Sequence, residues 1–180
     1  MSSSSGRKDK ALAELDDEQD ENSPSRAGQY RGRITAVVDG DTIKVRTGKG
    51  SFTVRLLGID TPEMSPRECG AEAATASMRG LSFVRGPAGG LSGRIVTLTT
   101  DPSQDRKDRY GRLLAYAKTD AGAELGQKQV RRGWAKVYVF EKPFQRVARY
   151  RAARDAARAE RRGVWGTCGG YFHRNAPAGA

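Results

Sequence analysis

Three carboxylates stand where short apolar runs give out. Asp41 falls in Val37-Val38-Asp39-Gly40-Asp41-Thr42-Ile43, and Asp60 and Glu63 close Val54-Arg55-Leu56-Leu57-Gly58-Ile59-Asp60-Thr61-Pro62-Glu63. Side chains converge where strands turn into loops, so the three form a candidate pocket for a hard cation. Carboxylate oxygens are what calcium takes beside carbonyls and waters. Arg55 and Arg112 add planar guanidinium groups, each able to bond two phosphate oxygens at once. A divalent cation, a carboxylate that prepares a water and an arginine on the developing charge are the parts that phosphodiester hydrolysis requires. Glu63, three residues past Asp60, suits the water-preparing role without being a tight ligand.

Each residue also has a plainer reading. Asp39-Gly40 is a common turn pair, Asp60 to Glu63 resembles a helix cap with its first turn, and Arg55 inside a strand is an ordinary exposed charge. The combination gives the chemistry its weight.

The elements that must position these residues are short. Ile34 to Val38, Thr42 to Arg46 and Ser51 to Gly58 are rich in Val, Ile, Thr and Phe, and Asp-Gly and Gly-Lys-Gly turns divide them into a meander of hairpins. Residues 71 to 85 change to a helical period, with Ala74, Met78, Leu81 and Val84 on one face, until Gly86-Pro87-Ala88-Gly89-Gly90 ends the run. Arg94 to Thr99 and Leu113 to Lys118 read as two further strands, Glu124 to Arg132 as a short helix and Ala135 to Phe140 as a brief extended run. Phe144 to Arg162, rich in Ala and Arg, is the longest predicted helix, with Val147, Ala148 and Tyr150 on or beside its buried face. Five strands with inserted and appended helices define an α+β barrel.

Composition points to a polyanion. The chain of 180 residues carries a net charge of +11 and suits one domain with tails. Residues 1 to 30 hold seven acids against four bases, which leaves +14 on the remainder. A basic surface of this size attracts nucleic acid, although membrane association and plain solubility share the signature. The arginines from Arg146 to Arg162 are read mainly as a solvated helix face, with a subset extending phosphate contacts.

Residues 1–29 are Ser-rich, acidic and without an apolar period, and read as a disordered tail; 30–168 form the domain, and 169–180 a flexible Gly- and Ala-rich end. Ala11-Leu12-Ala13 is too short for a signal-peptide core or a membrane span, which favours the cytoplasm and no membrane partner. Cys69 and Cys168 are expected to pair, closing a loop of about 100 residues worth about 4–5 kcal/mol in the chain-entropy model, with two free thiols as the alternative. Trp134 and Trp165 read as core. His173, the single histidine, lies in the C-terminal tail and is not assigned to catalysis.

Four motifs in order carry a resemblance. Asp39-Gly40-Asp41-Thr42, Arg55 to Glu63, Asp108-Arg109-Tyr110-Gly111-Arg112-Leu113-Leu114-Ala115-Tyr116 and Gly133-Trp134-Ala135-Lys136-Val137-Tyr138 resemble the staphylococcal nuclease (thermonuclease) family over roughly Gly32 to Trp165. The resemblance implies a five-stranded OB-fold barrel with about three helices. It also implies calcium-dependent cleavage of DNA and RNA at the 5′ oxygen, leaving 3′-phosphate ends. By position, Asp41, Asp60 and the Thr61 carbonyl correspond to the calcium ligands, and Asp39 to an acid beside them. Glu63 corresponds to the general base or water-orienting group, and Arg55 and Arg112 to the phosphate clamps.

Arg109, Tyr110 and Tyr138 match positions that hold the terminal phosphate and the base or sugar. The tyrosines serve equally well as amphipathic aromatics at a barrel rim. Arg109 replaces a common lysine, and Phe140 an aromatic that often carries a hydroxyl, which keeps stacking and loses one hydrogen bond. Single strands, whose bases splay onto aromatics, are the expected preference. The family suggests export, against the cytoplasm read from the missing signal, and a monomer is expected since no heptad pattern appears. The rival reading is a non-catalytic OB-fold module that holds nucleic acid without cutting it; a third is an interaction protein whose basic helix binds an anionic partner.

Overall fold

Alternation of apolar and charged residues builds the first strands. In Thr42-Ile43-Lys44-Val45-Arg46, Ile43 and Val45 are buried while Lys44 and Arg46 face water, as a strand with one covered face requires. The computed structural model describes residues 28–175. In it, β1 (Gln29–Val37), β2 (Thr42–Thr47) and β3 (Gly50–Leu56) form an antiparallel meander.

After β4 (Ile59–Asp60) come α1 (Ala71–Ser82) and the hairpin of β5 (Phe83–Arg85) and β6 (Leu91–Gly93). Then β7 (Ile95–Thr99) pairs with both β1 and β8 (Leu113–Thr119), and β8 runs parallel to β3, so the order β1-β2-β3-β8-β7 closes on itself. The rest comprises α2 (Leu125–Arg131), β9 (Lys136–Val137), α3 (Val147–Ala159) and the single turn α4 (Val164–Thr167). This is the expected α+β fold, a five-stranded closed barrel of the OB type carrying three main helices.

Differences from the sequence reading have local causes. The first helix stops at Ser82, because Phe83-Val84-Arg85 extends and pairs with Leu91 to Gly93 across the Gly-Pro-Ala-Gly-Gly turn; Val84, in phase with the helical face, belongs to a strand. The long helix begins at Val147, and its buried stripe is Tyr150, Ala153 and Ala157, so Ala148 is exposed. The Tyr150 hydroxyl sets that phase by donating to Glu124 Oε1 at 2.8 Å, while Arg146 pairs with the other oxygen of the same buried carboxylate. Trp134 and Trp165 are half-buried against a small cluster of Val164, Cys168 and Phe172 rather than in the barrel core.

The domain boundaries also move. Gly28 is already tied to Thr100, its carbonyl accepting the Thr100 N–H and its N–H donating to Thr100 Oγ1, so the fold begins before residue 30, and the expected tail lies outside the described residues up to 27. At the other end the chain stays packed well past residue 168. Phe172 is buried against Trp165 with ring centroids 5.3 Å apart, and the Cys69 N–H donates to the Arg174 carbonyl at 2.7 Å. The Cys69–Cys168 disulfide, with a sequence separation of 99, ties the start of this stretch to the residues just before α1. The expected flexible end therefore forms a strap as far as Asn175, and 176–180 fall outside the described residues.

Candidate active site

The Asp39-Gly40-Asp41-Thr42 turn between β1 and β2 folds onto itself. The Asp41 N–H donates to Asp39 Oδ1 at 3.0 Å, and the Val38 N–H to the Thr42 carbonyl at 2.9 Å. Gly40 is required because a Cβ there would stand 2.8 Å from Thr61 Oγ1 and 3.0 Å from the Ala74 Cβ of α1. Gly58 is required twice over: its φ is +76°, and a Cβ would lie 2.3 Å from the Phe144 ring. These two glycines let the turn after β1 and the loop after β3 close upon each other.

Gln129 locks that closure from below. Fully buried on α2, it donates through Nε2 to the Gly40 carbonyl at 3.0 Å and the Ala74 carbonyl at 2.7 Å, and accepts from Ser77 Oγ at 2.8 Å. Gln129→Leu, which orphans the Gly40 and Ala74 carbonyls, is expected to cost about 1–3 kcal/mol of unfolding free energy, read from a urea titration.

Closure brings Asp41, Arg55 and Asp60 into direct contact. Asp41, only 4% exposed, receives the Thr61 N–H at 3.1 Å, Thr61 Oγ1 at 3.0 Å and Arg55 Nη2 at 3.1 Å, all on Oδ2. The same Arg55 nitrogen donates to Asp60 Oδ1 at 3.0 Å, while its Nη1 donates to the carbonyls of Ile59 at 2.7 Å and Leu56 at 3.1 Å. Asp60 stands opposite Lys136 in the β4–β9 pair, and Lys136 Nζ reaches its Oδ2 at 3.2 Å. Burial pushes the Asp41 carboxyl well above the usual carboxylate range; Arg55 pulls it down, and Asp39 and Asp60 add to the rise.

Glu63 lies at the open side. Its backbone is held by Glu68, whose Oε2 accepts the Glu63 N–H at 2.6 Å and whose N–H donates to the Glu63 carbonyl at 2.9 Å. Among the described residues its carboxylate has no hydrogen-bond or ion-pair partner, so its lone pairs face solvent. Partial desolvation raises its carboxyl, and Asp39, Asp60 and Glu68 raise it further against the pull of Arg55. That direction moves a carboxylate toward the range where a general base works at neutral pH.

Arg112 is tied to Asp108 and Tyr110 rather than to the acidic cluster. Its N–H and Nε donate to Asp108 at 3.0 and 2.7 Å, and its guanidinium lies 5.3 Å from the Tyr110 ring centre. Burial alone would raise Asp108, but these bonds and the Tyr110 N–H hold it below its ordinary value. The parallel pairing places Leu113 against Val54, so Arg112 enters β8 beside the strand that carries Arg55. Arg109 stacks on Tyr110 at 4.7 Å and donates to its hydroxyl at 2.6 Å. Tyr110, Tyr138 and Phe140 are exposed, and Tyr138 is anchored by its N–H to the Gly58 carbonyl at 2.9 Å.

Four residues of this site were not among the sequence candidates: Gln129 under the turn, Lys136 on Asp60, Glu68 and His173. Glu68 supports Glu63, and His173, set aside as part of a tail, touches Asp60 Oδ2 through Nε2 and Glu68 Oε2 through Nδ1, both at 2.9 Å. The cysteines were the available signal: a bridge from Cys69 to Cys168 must bring Glu68 close to the residues that follow 168.

Comparisons with known proteins agree with this architecture. The sequence profile described as "Staphylococcal nuclease homologue" matches residues 53–167, and the chain belongs to that family. It is 36% identical over 135 residues to the SPbeta prophage-derived endonuclease YokF of Bacillus subtilis, a match covering 73% of this chain and 43% of the relative. With endonuclease YncB of the same organism it shares 35% over 144 residues, covering 78% and 64%. With the thermonuclease of Staphylococcus hyicus it shares 29% over 147 residues, covering 78% and 79%. The chain thus spans less than two thirds of the length of the Bacillus endonucleases.

Proposed function

We propose that this chain is a calcium-dependent phosphodiesterase that hydrolyses DNA and RNA, single strands foremost, at the 5′ oxygen to leave 3′-phosphate ends. The observation that carries the reading is the meeting of Asp41 and Asp60 on one nitrogen of Arg55, at 3.1 and 3.0 Å, with the Glu63 carboxylate, unpartnered among the described residues, near enough to feel both Asp60 and Arg55. Family membership and the relatives named endonuclease and thermonuclease support it.

The donor set fits a loosely held hard cation. Burial, with the neighbouring charges of Asp39 and Asp60, raises the Asp41 and Glu63 carboxyls against the pull of Arg55, so added positive charge would be favourable there. Among the described residues no three His, Cys, Asp or Glu side chains form a ready-made metal cage. Asp41, Asp60 and the Thr61 carbonyl would hold calcium, with waters completing the shell. When bound, calcium supplies charge neutralisation at a non-bridging phosphate oxygen.

The chain's own groups do the rest. Glu63 orients a water and takes its proton as the oxygen attacks phosphorus in line, while the bond to the 5′ oxygen opposite breaks and that oxygen leaves with a proton from solvent. Arg55 is held through Nη1 by two backbone carbonyls, and its Nη2, now on Asp41 and Asp60, would turn to the same phosphate once those carboxylates hold a cation; Arg112 would meet the charge that builds on the phosphorane. Arg109, Tyr110 and Tyr138 line the rim where a terminal phosphate and a base or sugar would rest. The chain works as a monomer in this reading. The disulfide supports an oxidising, exported setting. Among the described residues no helix is long and apolar enough to cross a membrane.

A 5′-labelled fluorescent single-stranded DNA tests the proposal. With calcium, cleavage should yield ends that a phosphatase can shorten by one phosphate, and excess chelator should stop it. Retained, salt-sensitive binding without cleavage would make the chain a nucleic-acid-binding module instead.

A further inference from the structure

We infer that His173 is a positioning residue for the general base: it ties the Asp60 carboxylate to Glu68, and through Glu68 it sets where the Glu63 backbone stands. This rests on the roles proposed above for Asp60 and Glu63.

The contacts form one continuous line. Asp60 Oδ2 meets His173 Nε2 at 2.9 Å, His173 Nδ1 meets Glu68 Oε2 at 2.9 Å, and that same oxygen accepts the Glu63 N–H at 2.6 Å. A cation ligand and a general base must keep a set distance for a water to reach phosphorus, and a misplacement of about 1 Å can cost on the order of 100-fold in rate. Asp60 is on β4 whereas Glu63 and Glu68 lie in the loop before α1, and His173 is the side chain that spans the two.

The imidazole itself is held on both sides. Phe172 packs on Trp165, the Arg174 carbonyl accepts the Cys69 N–H, and the Cys69–Cys168 bridge clamps the start of the strap. Those anchors are independent of the His173 ring, whose side chain is 37% exposed and adds little packing. Lys136 and Arg55 also face Asp60, so removing the imidazole leaves that carboxylate paired. The group that loses its support is Glu68.

Amide hydrogen exchange at Glu63, followed by NMR on the metal-free full chain, reads the line directly. His173→Ala should speed that amide's exchange by about 3–10-fold, and Glu68→Ala at least as much, with melting of His173→Ala unchanged. On single-stranded DNA with calcium, kcat of His173→Ala should fall about tenfold with KM within twofold. His173→Ala/Glu68→Ala should be no worse than Glu68→Ala alone, because both act through Glu63. Unchanged Glu63 exchange in His173→Ala, or losses that multiply in the double variant, would overturn the inference. A wild-type chain that cleaves nothing but shows the exchange effect would keep His173 as the positioner of Glu63 and sink the nuclease reading alone.

Discussion

Glu63→Gln is expected to lower kcat on single-stranded DNA by about 10²–10⁴-fold, the range that a positioned general base contributes, with KM changed no more than a few-fold. Glutamine keeps the size and the backbone bond to Glu68 and loses the negative charge and with it the capacity to take a proton. The carboxylate has no partner among the described residues and is raised by partial burial and by like charges, so the variant should melt at or slightly above the wild-type temperature. This makes Glu63 a cleaner probe than Arg55. Arg55→Ala would also release Asp41 and Asp60 and leave the Ile59 and Leu56 carbonyls without donors, mixing lost catalysis with a collapsed site. If Glu63→Gln cuts within a factor of three of wild type at neutral pH, another group prepares the water.

Loss of the disulfide should produce the largest change in stability. Cys69→Ser/Cys168→Ser frees a loop with a separation of 99 residues, and the chain-entropy model puts the loss at about 4–5 kcal/mol. Urea denaturation of the oxidised chain and the double variant measures it. A midpoint shift equivalent to under 1 kcal/mol would mean that Phe172, Trp165 and the backbone bonds hold the strap by themselves. The variant also separates the barrel from the strap: β1, β2, β3, β7 and β8 make their ladders without it.

The barrel was legible because its strands obey simple rules. Ile43, Val45 and Val54 alternate with charged or hydroxyl neighbours, and Asp-Gly and Gly-Lys-Gly break the runs where hairpins turn. Most of the site was legible for a related reason, since Asp41, Arg55, Asp60 and Glu63 cluster within two neighbouring motifs. The misreadings came where two periods fit one stretch. Val84 sits in helical phase with Met78 and Leu81, yet Phe83-Val84-Arg85 is equally suited to a strand, and pairing with Leu91 to Gly93 decided it. On α3, alanines at every phase left the buried face undefined until Tyr150 found Glu124. His173 escaped notice because its partners lie 105 and 113 residues away, a relation no local pattern records. Strand direction was equally hidden: nothing within β8 says that it will run parallel to β3.

That parallel pair gives the site a history. Asp41, Arg55 and Asp60 come from one hairpin and the short strand after it, so they are close in sequence and can meet early, by closing short loops on the microsecond scale, before Gln129 and Lys136 arrive to hold them. Arg112 reaches the neighbourhood of Arg55 only when Val54 finds Leu113, a contact spanning about half the domain, and such non-local pairings form slowly. On this ordering the Asp41–Arg55–Asp60 contacts form ahead of the approach of Arg112, and barrel closure is the step that brings the two arginines side by side.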